Sequence, residues 1–401
     1  MVTIFYLFVI EQVLQSLYSL WQGMTWLAMA RRRMEQPSSF YTPRVALFCP
    51  VKGLEPGLEQ NLLALTEFDY LSYEIFFPVA SAQDPANPIL ERVAAASRRT
   101  VHIVRAGAPK DCAEKVNNLR VAVETAGREF DVLVFTDSDG RPSRRWLSRM
   151  VAPLSDDGVG AATTFRWFIP NSATKMGTFW SGLASAWNAP VATYLGEHQN
   201  NFCWGGGMAI RRDRFEEIHV AEAWHGSVSD DLSLTGAVNA AGFTVTFVPE
   251  CLVPSFIQLS ARGLFEFTER QIVIARVYSP KLWLTAAVSH LLYCGSILMG
   301  IGLWLANWAT GSPSLQFLLL ALIPPVLSAI RGIQRLVAVL DLLPEYRNKL
   351  LAYAWAWTIA APLVPFISLY DSVVAVFRRR IKWRGIRYDL VSTRDTRIVP
   401  H

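Results

Sequence analysis

The sequence is poor in charge. Asp, Glu, Lys and Arg make up 18% of its 401 residues against 52% hydrophobic residues, too few charges for an ordinary soluble protein. Cysteine is sparse and scattered: Cys49, Cys112, Cys203, Cys251 and Cys294, with no Cys-x-x-Cys pair. Such spacing indicates neither a disulfide framework nor a zinc site, and it suits a reducing, cytosol-facing domain. Cys49 and Cys203 read as small core residues. Nor is there a strong excess of one sign, because the formal net charge is +5. Arg31-Arg32-Arg33 and Arg378-Arg379-Arg380 both flank apolar stretches, so they read as membrane-flanking charge and not as a nucleic-acid patch. Internal repeats and low-complexity segments are also lacking.

What is plentiful is apolar sequence at both ends. Residues 2–30 are mostly apolar and aromatic and stop at the three arginines. The stretch is too long for a secretory h-region and has no small-residue cleavage site, so it reads as a retained anchor. Glu11, Gln12, Gln15 and Gln22 then mark a face that is interfacial or packed against another span. Towards the C-terminus, 283–308, 314–330 and 350–376 are each about long enough to cross a bilayer. Positive-inside reasoning puts Arg31-Arg32-Arg33, and the middle domain with them, in the cytosol. Three further crossings would put Arg378-Arg379-Arg380 and Lys382 outside, against the same rule. The stretch 331–345, with Arg331, Arg335 and Asp341 among leucines and valines, reads as interfacial or as one more crossing, and the topology stays open. The expected divisions are a membrane anchor at 1–33, a globular domain at 42–278, a transmembrane region at 279–377 and a basic tail at 378–401.

Between the apolar ends, strand and helix signals alternate. The apolar runs 44–49, 73–80, 100–105 and 131–136 are separated by helical stretches at 57–67, around 88–98 and at 113–127. Continuous apolar strands joined by helices predict an α/β fold whose parallel sheet is covered on both faces. Ligands bind such sheets beyond the carboxyl ends of the strands, and Asp137 and Asp139 of T136-D-S-D-G140 stand there. An Asp-x-Asp-Gly turn accounts for one of them. A calcium loop is excluded, since Arg141, Pro142 and Ser148 occupy positions that need an oxygen ligand, Gly and Glu. The remaining functional reading is a divalent ion that bridges nucleotide phosphates, because Mg2+ and Mn2+ favour a few carboxylates plus phosphate oxygens. A second acidic pair, Asp230-Asp231, follows Ser229 at the start of a predicted helix ending at Gly242. Capping and dipole compensation explain that pair, but a carboxylate there is also aimed as a general base is.

In this order the motifs resemble the ceramide glucosyltransferase-like branch of the inverting family 2 glycosyltransferases. They are P50-V-K-G-L-E-P-G57 with N61-L, D84-P-A, K115-V-N-N-L119, T136-D-S-D-G140, G205-G-G-M-A-I-R-R-D213, D230-D-L and K382-W-R-G-I-R-Y388, spread over about 44–390. The resemblance implies a GT-A-type mixed, mostly parallel sheet with helices on both faces, plus N- and C-terminal transmembrane helices. It implies a UDP-sugar donor, contacted by Pro50, Lys52, Asp84 and Lys115, with Asp84 at the uracil or ribose. Asp137 with Asp139 would bind Mg2+ or Mn2+ and the diphosphate. Asp231 would be the base with Asp230 beside it, and Gly205, Gly206 and Gly207 would line the acceptor side. A membrane lipid acceptor, an integral multi-pass location with the catalytic domain facing the cytosol (the inner membrane in a bacterium), and glucose as the sugar follow in the same way.

One motif departs from the family. Its (Q/R)-x-x-R-W stretch is replaced by R270-Q-I-V-I-A-R276, with Val273-Ile274 in place of Arg-Trp. Arg270, Gln271 and Arg276 remain as donor-side candidates or as anchors of an amphipathic helix, and the loss of tryptophan argues against a processive synthase. Transfer of an N-acetylhexosamine to a polyprenyl or hopanoid-like lipid, and a non-catalytic membrane protein with a degenerate nucleotide-sugar domain, are the alternatives left open.

Overall fold

The computed structural model of the chain describes residues 1–36, 41–311 and 314–399; the last two residues of the expected basic tail lie outside them. The chain divides into two compact units. One comprises 29–168, 194–257 and 379–401, the other 1–28, 169–193 and 258–378.

The first unit is built on a seven-stranded sheet. The chain's strands are β1 Val45–Phe48, β2 Tyr73–Val79, β3 Val101–Arg105, β4 Val132–Thr136, β5 Val159–Thr163, β6 Arg166–Pro170, β7 Gly207–Arg211, β8 Thr244–Phe247, β9 Val253–Ile257, β10 Arg380–Trp383, β11 Ile386–Ser392 and β12 Asp395–Val399. The large sheet has the order β3-β2-β1-β4-β7-β5-β8. It is parallel except where β7 runs antiparallel to β4 and β5. Every residue of β1 and β4 is buried, as the unbroken apolar runs require of central strands. Phe48 of β1 lies between Phe76 and Phe135, with ring centroids 5.2 and 5.3 Å away. The helices Leu58–Thr66, Asn87–Ala96 and Glu114–Thr125 join the first four strands, within a residue or two of the boundaries expected.

The tail is not merely basic. It forms a three-stranded antiparallel sheet, β10-β11-β12, in the same unit. Arg384 (φ 49°) and Gly385 (φ 83°) turn β10 into β11, the positive-φ pair that a two-residue hairpin demands.

The second unit is helical, and among the described residues four helices are long and apolar enough to cross a membrane: Val2–Glu35, Pro280–Ala309, Leu315–Leu342 and Ala354–Phe377. Leu7, Leu14, Leu298, Leu305, Leu319 and Val326 are more than half exposed, spaced as an outer apolar stripe. Phe5 packs with Leu303, Phe317 and Ala321, Gln15 bonds Ser289, and Gln334 donates to the Leu20 carbonyl at 2.9 Å. These contacts make Leu315–Leu342 parallel to the first helix and Pro280–Ala309 antiparallel to both. Within the stretch 331–345, Arg331, Arg335 and Asp341 continue the helix begun at Leu315, which runs to Leu342, because no breaker follows Pro324-Pro325.

The last candidate span is interrupted. Ala354–Thr358 is followed by a 3-10 turn at Ala361–Leu363 and then by Val364–Phe377. The Pro362 carbonyl accepts from Tyr293 at 3.2 Å, and Tyr293 is about 20 Å along the helix from Pro280 at 1.5 Å per residue. Arg276, four residues before Pro280, donates to the Ala375 carbonyl at 2.5 Å. The segment thus leaves the Leu342 end of the unit, meets Tyr293 at Pro362 and returns towards the end it started from.

Candidate active site

The carboxyl ends of β1 and β4 define the site, since the sheet order changes direction between these neighbours and opens a crevice there. After β1 the chain runs through Pro50 and Lys52 to Gly53 (φ 66°). The Gly53 amide donates to both oxygens of Asp84, at 2.9 and 3.2 Å, and the Ala86 amide to one of them at 2.9 Å. Asp84 therefore shapes the loop after β1. Lys52 pairs with Glu114 at 3.0 Å, next to Lys115 on the following helix.

After β4 the carboxylates converge on that lysine. Lys115 Nζ lies 2.8 Å from Asp137 and 3.2 Å from Asp230, and it also donates to the Gly205 carbonyl at 3.2 Å. Burial would lower the lysine's pKa, but Asp137 and Asp230 outweigh it and the group is held above its ordinary value. Burial pushes Asp230 up to about 7 despite Lys115, and it raises Asp139 against the opposing charge of Arg166. Arg166 pairs with Asp139 at 3.4 Å. Its guanidinium lies over the rings of Phe168 and Trp204, at 4.6 and 5.6 Å.

Asp230-Asp231 opens the helix Asp230–Ala240, capped by Ser229. Asp230 is 2% exposed, whereas Asp231 is half-buried. One oxygen of Asp231 accepts from the Gly205 amide at 3.0 Å, and the other accepts from the Leu232 amide at 2.8 Å and from the Ser229 hydroxyl. Three donors fix this carboxylate in orientation.

The glycines are required by these contacts. A Cβ on Gly205 would stand 2.6 Å from Asp230 Oδ2 and 2.7 Å from Lys115 Nζ. One on Gly206 would meet Trp204 and, at 2.7 Å, Asp137 Oδ2, and one on Gly207 would meet Thr164. Gly207 alone of the three lies in strand β7; Gly205 and Gly206 form the turn before it.

A divalent cation fits this arrangement. Asp139 Oδ1 is buried without a hydrogen-bond partner, a state that a buried carboxylate oxygen seldom keeps unless something else satisfies it. Among the described residues no group of three or more His, Cys, Asp or Glu side chains could hold a metal.

Residues 8–396 match the model of glycosyl transferase family 21, the ceramide glucosyltransferase family. The chain belongs to glycosyl transferase family 21. The resemblance seen in the motifs is thereby borne out, and the chain is a glycosyltransferase. Three solved structures are similar to it. A mannosyltransferase from Pyrobaculum calidifontis in complex with GDP-Man and Mn2+ is 15% identical, over 93% of this chain and 99% of its own, with a TM-score of 0.47. GalNAc-T7 with UDP, GalNAc and Mn2+ is 14% identical over 59% and 49%, with a TM-score of 0.41. Glucosyl-3-phosphoglycerate synthase from Mycobacterium tuberculosis, in complex with phosphoglyceric acid, is 16% identical over 59% and 80%, with a TM-score of 0.36.

Within the family 21 chain, sequence motifs named most of the cluster but not its partners. Arg166 at Asp139 carried no motif. Arg384 of the tail pairs with Glu55 of the loop after β1, and Glu55 in turn accepts from Ser138, at 3.3 Å, between the two aspartates. Tyr388 accepts from the Glu114 amide at 3.2 Å. Both tail residues lay in a recognised motif; what each would touch was not in the sequence. Arg270, Gln271 and Arg276 belong to the helical unit. There Arg276 bonds the Ala375 carbonyl, and Arg270 lies 5.7 Å from the Phe267 ring.

Proposed function

We propose that this family 21 enzyme transfers a hexose, glucose on the family's pattern, from a UDP-sugar to the hydroxyl of a membrane lipid with inversion. The observation that carries the reading is the cluster beyond β4 in which Lys115 joins Asp137, Asp230 and the Gly205 turn, with Asp231 bonded to that turn and Asp139 paired with Arg166. In the reaction the acceptor oxygen forms its bond to the anomeric carbon as the bond to the diphosphate breaks. Asp231, oriented by the Gly205 amide and the Ser229 hydroxyl, takes the acceptor's proton. Asp230, buried and paired with Lys115, positions that lysine and the Gly205 turn. Lys115 and Arg166 supply positive charge beside the aspartates, where diphosphate charge develops. Mg2+ or Mn2+, held by Asp137 and Asp139, would offset the charge of the departing UDP. Pro50, Lys52 and Asp84 shape the pocket for uracil or ribose, and Gly205–Gly207 form the acceptor wall. Arg270, Gln271 and Arg276 stay candidates for the diphosphate on the family's pattern alone.

The same reading gives a membrane arrangement. Three crossings plus a re-entrant 343–378 segment keep Arg31-Arg32-Arg33 and Arg378-Arg379-Arg380 both in the cytosol, which removes the conflict with the positive-inside rule. Membership of the β10-β11-β12 sheet in the catalytic unit supports this count. The test is product analysis: solubilised protein, UDP-glucose, Mg2+ or Mn2+ and a lipid extract should yield a β-linked glycolipid. A product only from a UDP-N-acetylhexosamine would replace glucose; no glycolipid from any UDP-sugar would end the reading.

A further inference from the structure

Two arginines in the helical unit have no counter-charge. Arg331 and Arg335 stand one turn apart on the helix Leu315–Leu342, where like charges repel. Both are half-buried, and neither forms an ion pair among the described residues. Arg331 Nε is buried with no hydrogen-bond partner. Among the described residues, the one hydrogen bond made by either guanidinium goes from Arg335 Nε to Thr193 Oγ1 at 3.3 Å. Two guanidiniums carry ten N–H donors between them, so nearly all of that capacity is unspent.

Their depth is informative. Arg335 follows Leu315 by twenty residues, about 30 Å of helix, which is the thickness of the bilayer's hydrocarbon core. The neighbouring Gln334 is level with Leu20 of the first helix, towards the end that carries Arg31-Arg32-Arg33. The pair therefore lies at the head-group level of the leaflet on that side, with Arg331 one turn deeper beside Tyr293 and Pro362.

We propose that Arg331 and Arg335 bind the phosphate of an anionic lipid head group in that leaflet. Arginine's planar donor fork suits a phosphate, and at this depth phosphate oxygens are the anions at hand. The inference rests on the membrane reading of these helices and is independent of the transferase reading.

The test uses the full chain in dodecyl maltoside, followed by native mass spectrometry and thermal unfolding, with phosphatidylglycerol, phosphatidylcholine or inorganic phosphate added. Phosphatidylglycerol should be retained and should raise the unfolding midpoint; phosphatidylcholine and inorganic phosphate at the same concentration should do neither. Arg331→Gln/Arg335→Gln should lose retention at least tenfold while unfolding in lipid-free detergent no earlier than the parent. Arg335→Lys keeps the charge without the fork, so it should bind with intermediate strength and serves if the double variant does not fold. Equal retention in the double variant, no shift with phosphatidylglycerol, or an equal shift with inorganic phosphate would overturn the proposal.

Discussion

Replacing Gly205 by alanine isolates the geometry of the cluster from its chemistry. The residue does not use a positive φ, so the backbone accepts a side chain and the whole effect is steric. The added methyl would lie 2.6 Å from Asp230 Oδ2 and 2.7 Å from Lys115 Nζ, where ordinary contact begins at 3.4 Å. Roughly 0.8 Å must be found, and a misplacement of that order costs about 100-fold in rate when reacting groups are positioned to the ångström. Lysine ends usually swing aside, but Lys115 is held by Asp137 and Asp230, so relief on one side disturbs the other. Overpacking of this kind should also destabilise the fold by about 1–3 kcal/mol. The assay is lipid-dependent nucleotide release by solubilised protein, with unfolding followed on the same preparation. Activity within threefold of the parent would refute the claim that this turn sets the lysine and the two carboxylates.

Three further outcomes follow from the same contacts. Gly236→Ala, in a helix interior where a Cβ meets nothing within 4 Å, should raise stability by about 1 kcal/mol in chemical denaturation and leave nucleotide release unchanged. Arg384→Ala removes the partner of Glu55, whose side chain is 11% exposed; it should cost about 1–2 kcal/mol and weaken UDP binding in titration calorimetry, because the loop after β1 loses its tail contact. Asp230, raised by burial from 3.8 to about 7, binds its proton more tightly folded than unfolded, so it contributes stability that is fully present below about pH 4 and lost as pH rises to about 7. In chelator, Asp230→Asn should therefore flatten the fall in unfolding free energy across that window; an unchanged slope would contradict the assignment.

Much of the catalytic unit could be read in advance, for a physical reason. Central parallel strands are buried on both faces, so β1 and β4 appear as uninterrupted apolar runs, and a carboxylate placed directly after one is conspicuous. Asp137 and Asp139 were legible on that ground and Asp231 by its place at a helix start. Partners distant in sequence were not: nothing in the sequence around Arg166 announces Asp139, and nothing in the basic tail announces an antiparallel sheet whose Arg384 reaches Glu55. Averaging over 350–376 also conceals the break around Pro362, although the stretch is long and apolar enough to cross a membrane. The same averaging divided 314–345 at Arg331, although two arginines on one face do not interrupt a helix.

The membrane arrangement can be checked separately, by labelling Arg394→Cys with a membrane-impermeant maleimide. The five natural cysteines are buried, so the introduced thiol should react in inside-out vesicles and not in right-side-out ones; the reverse would restore a fourth crossing.

The most direct test of the central claim is nucleotide release from UDP-glucose in lipid-containing micelles, measured for the parent and for Asp231→Asn, each with Mn2+ and with chelator. If Asp231 is the base in a metal-assisted transfer to lipid, the parent should release UDP only with lipid and metal both present. The variant should bind UDP as tightly while turning over about 1,000-fold more slowly. Undiminished release by Asp231→Asn, or release by the parent that ignores the lipid, would contradict the account.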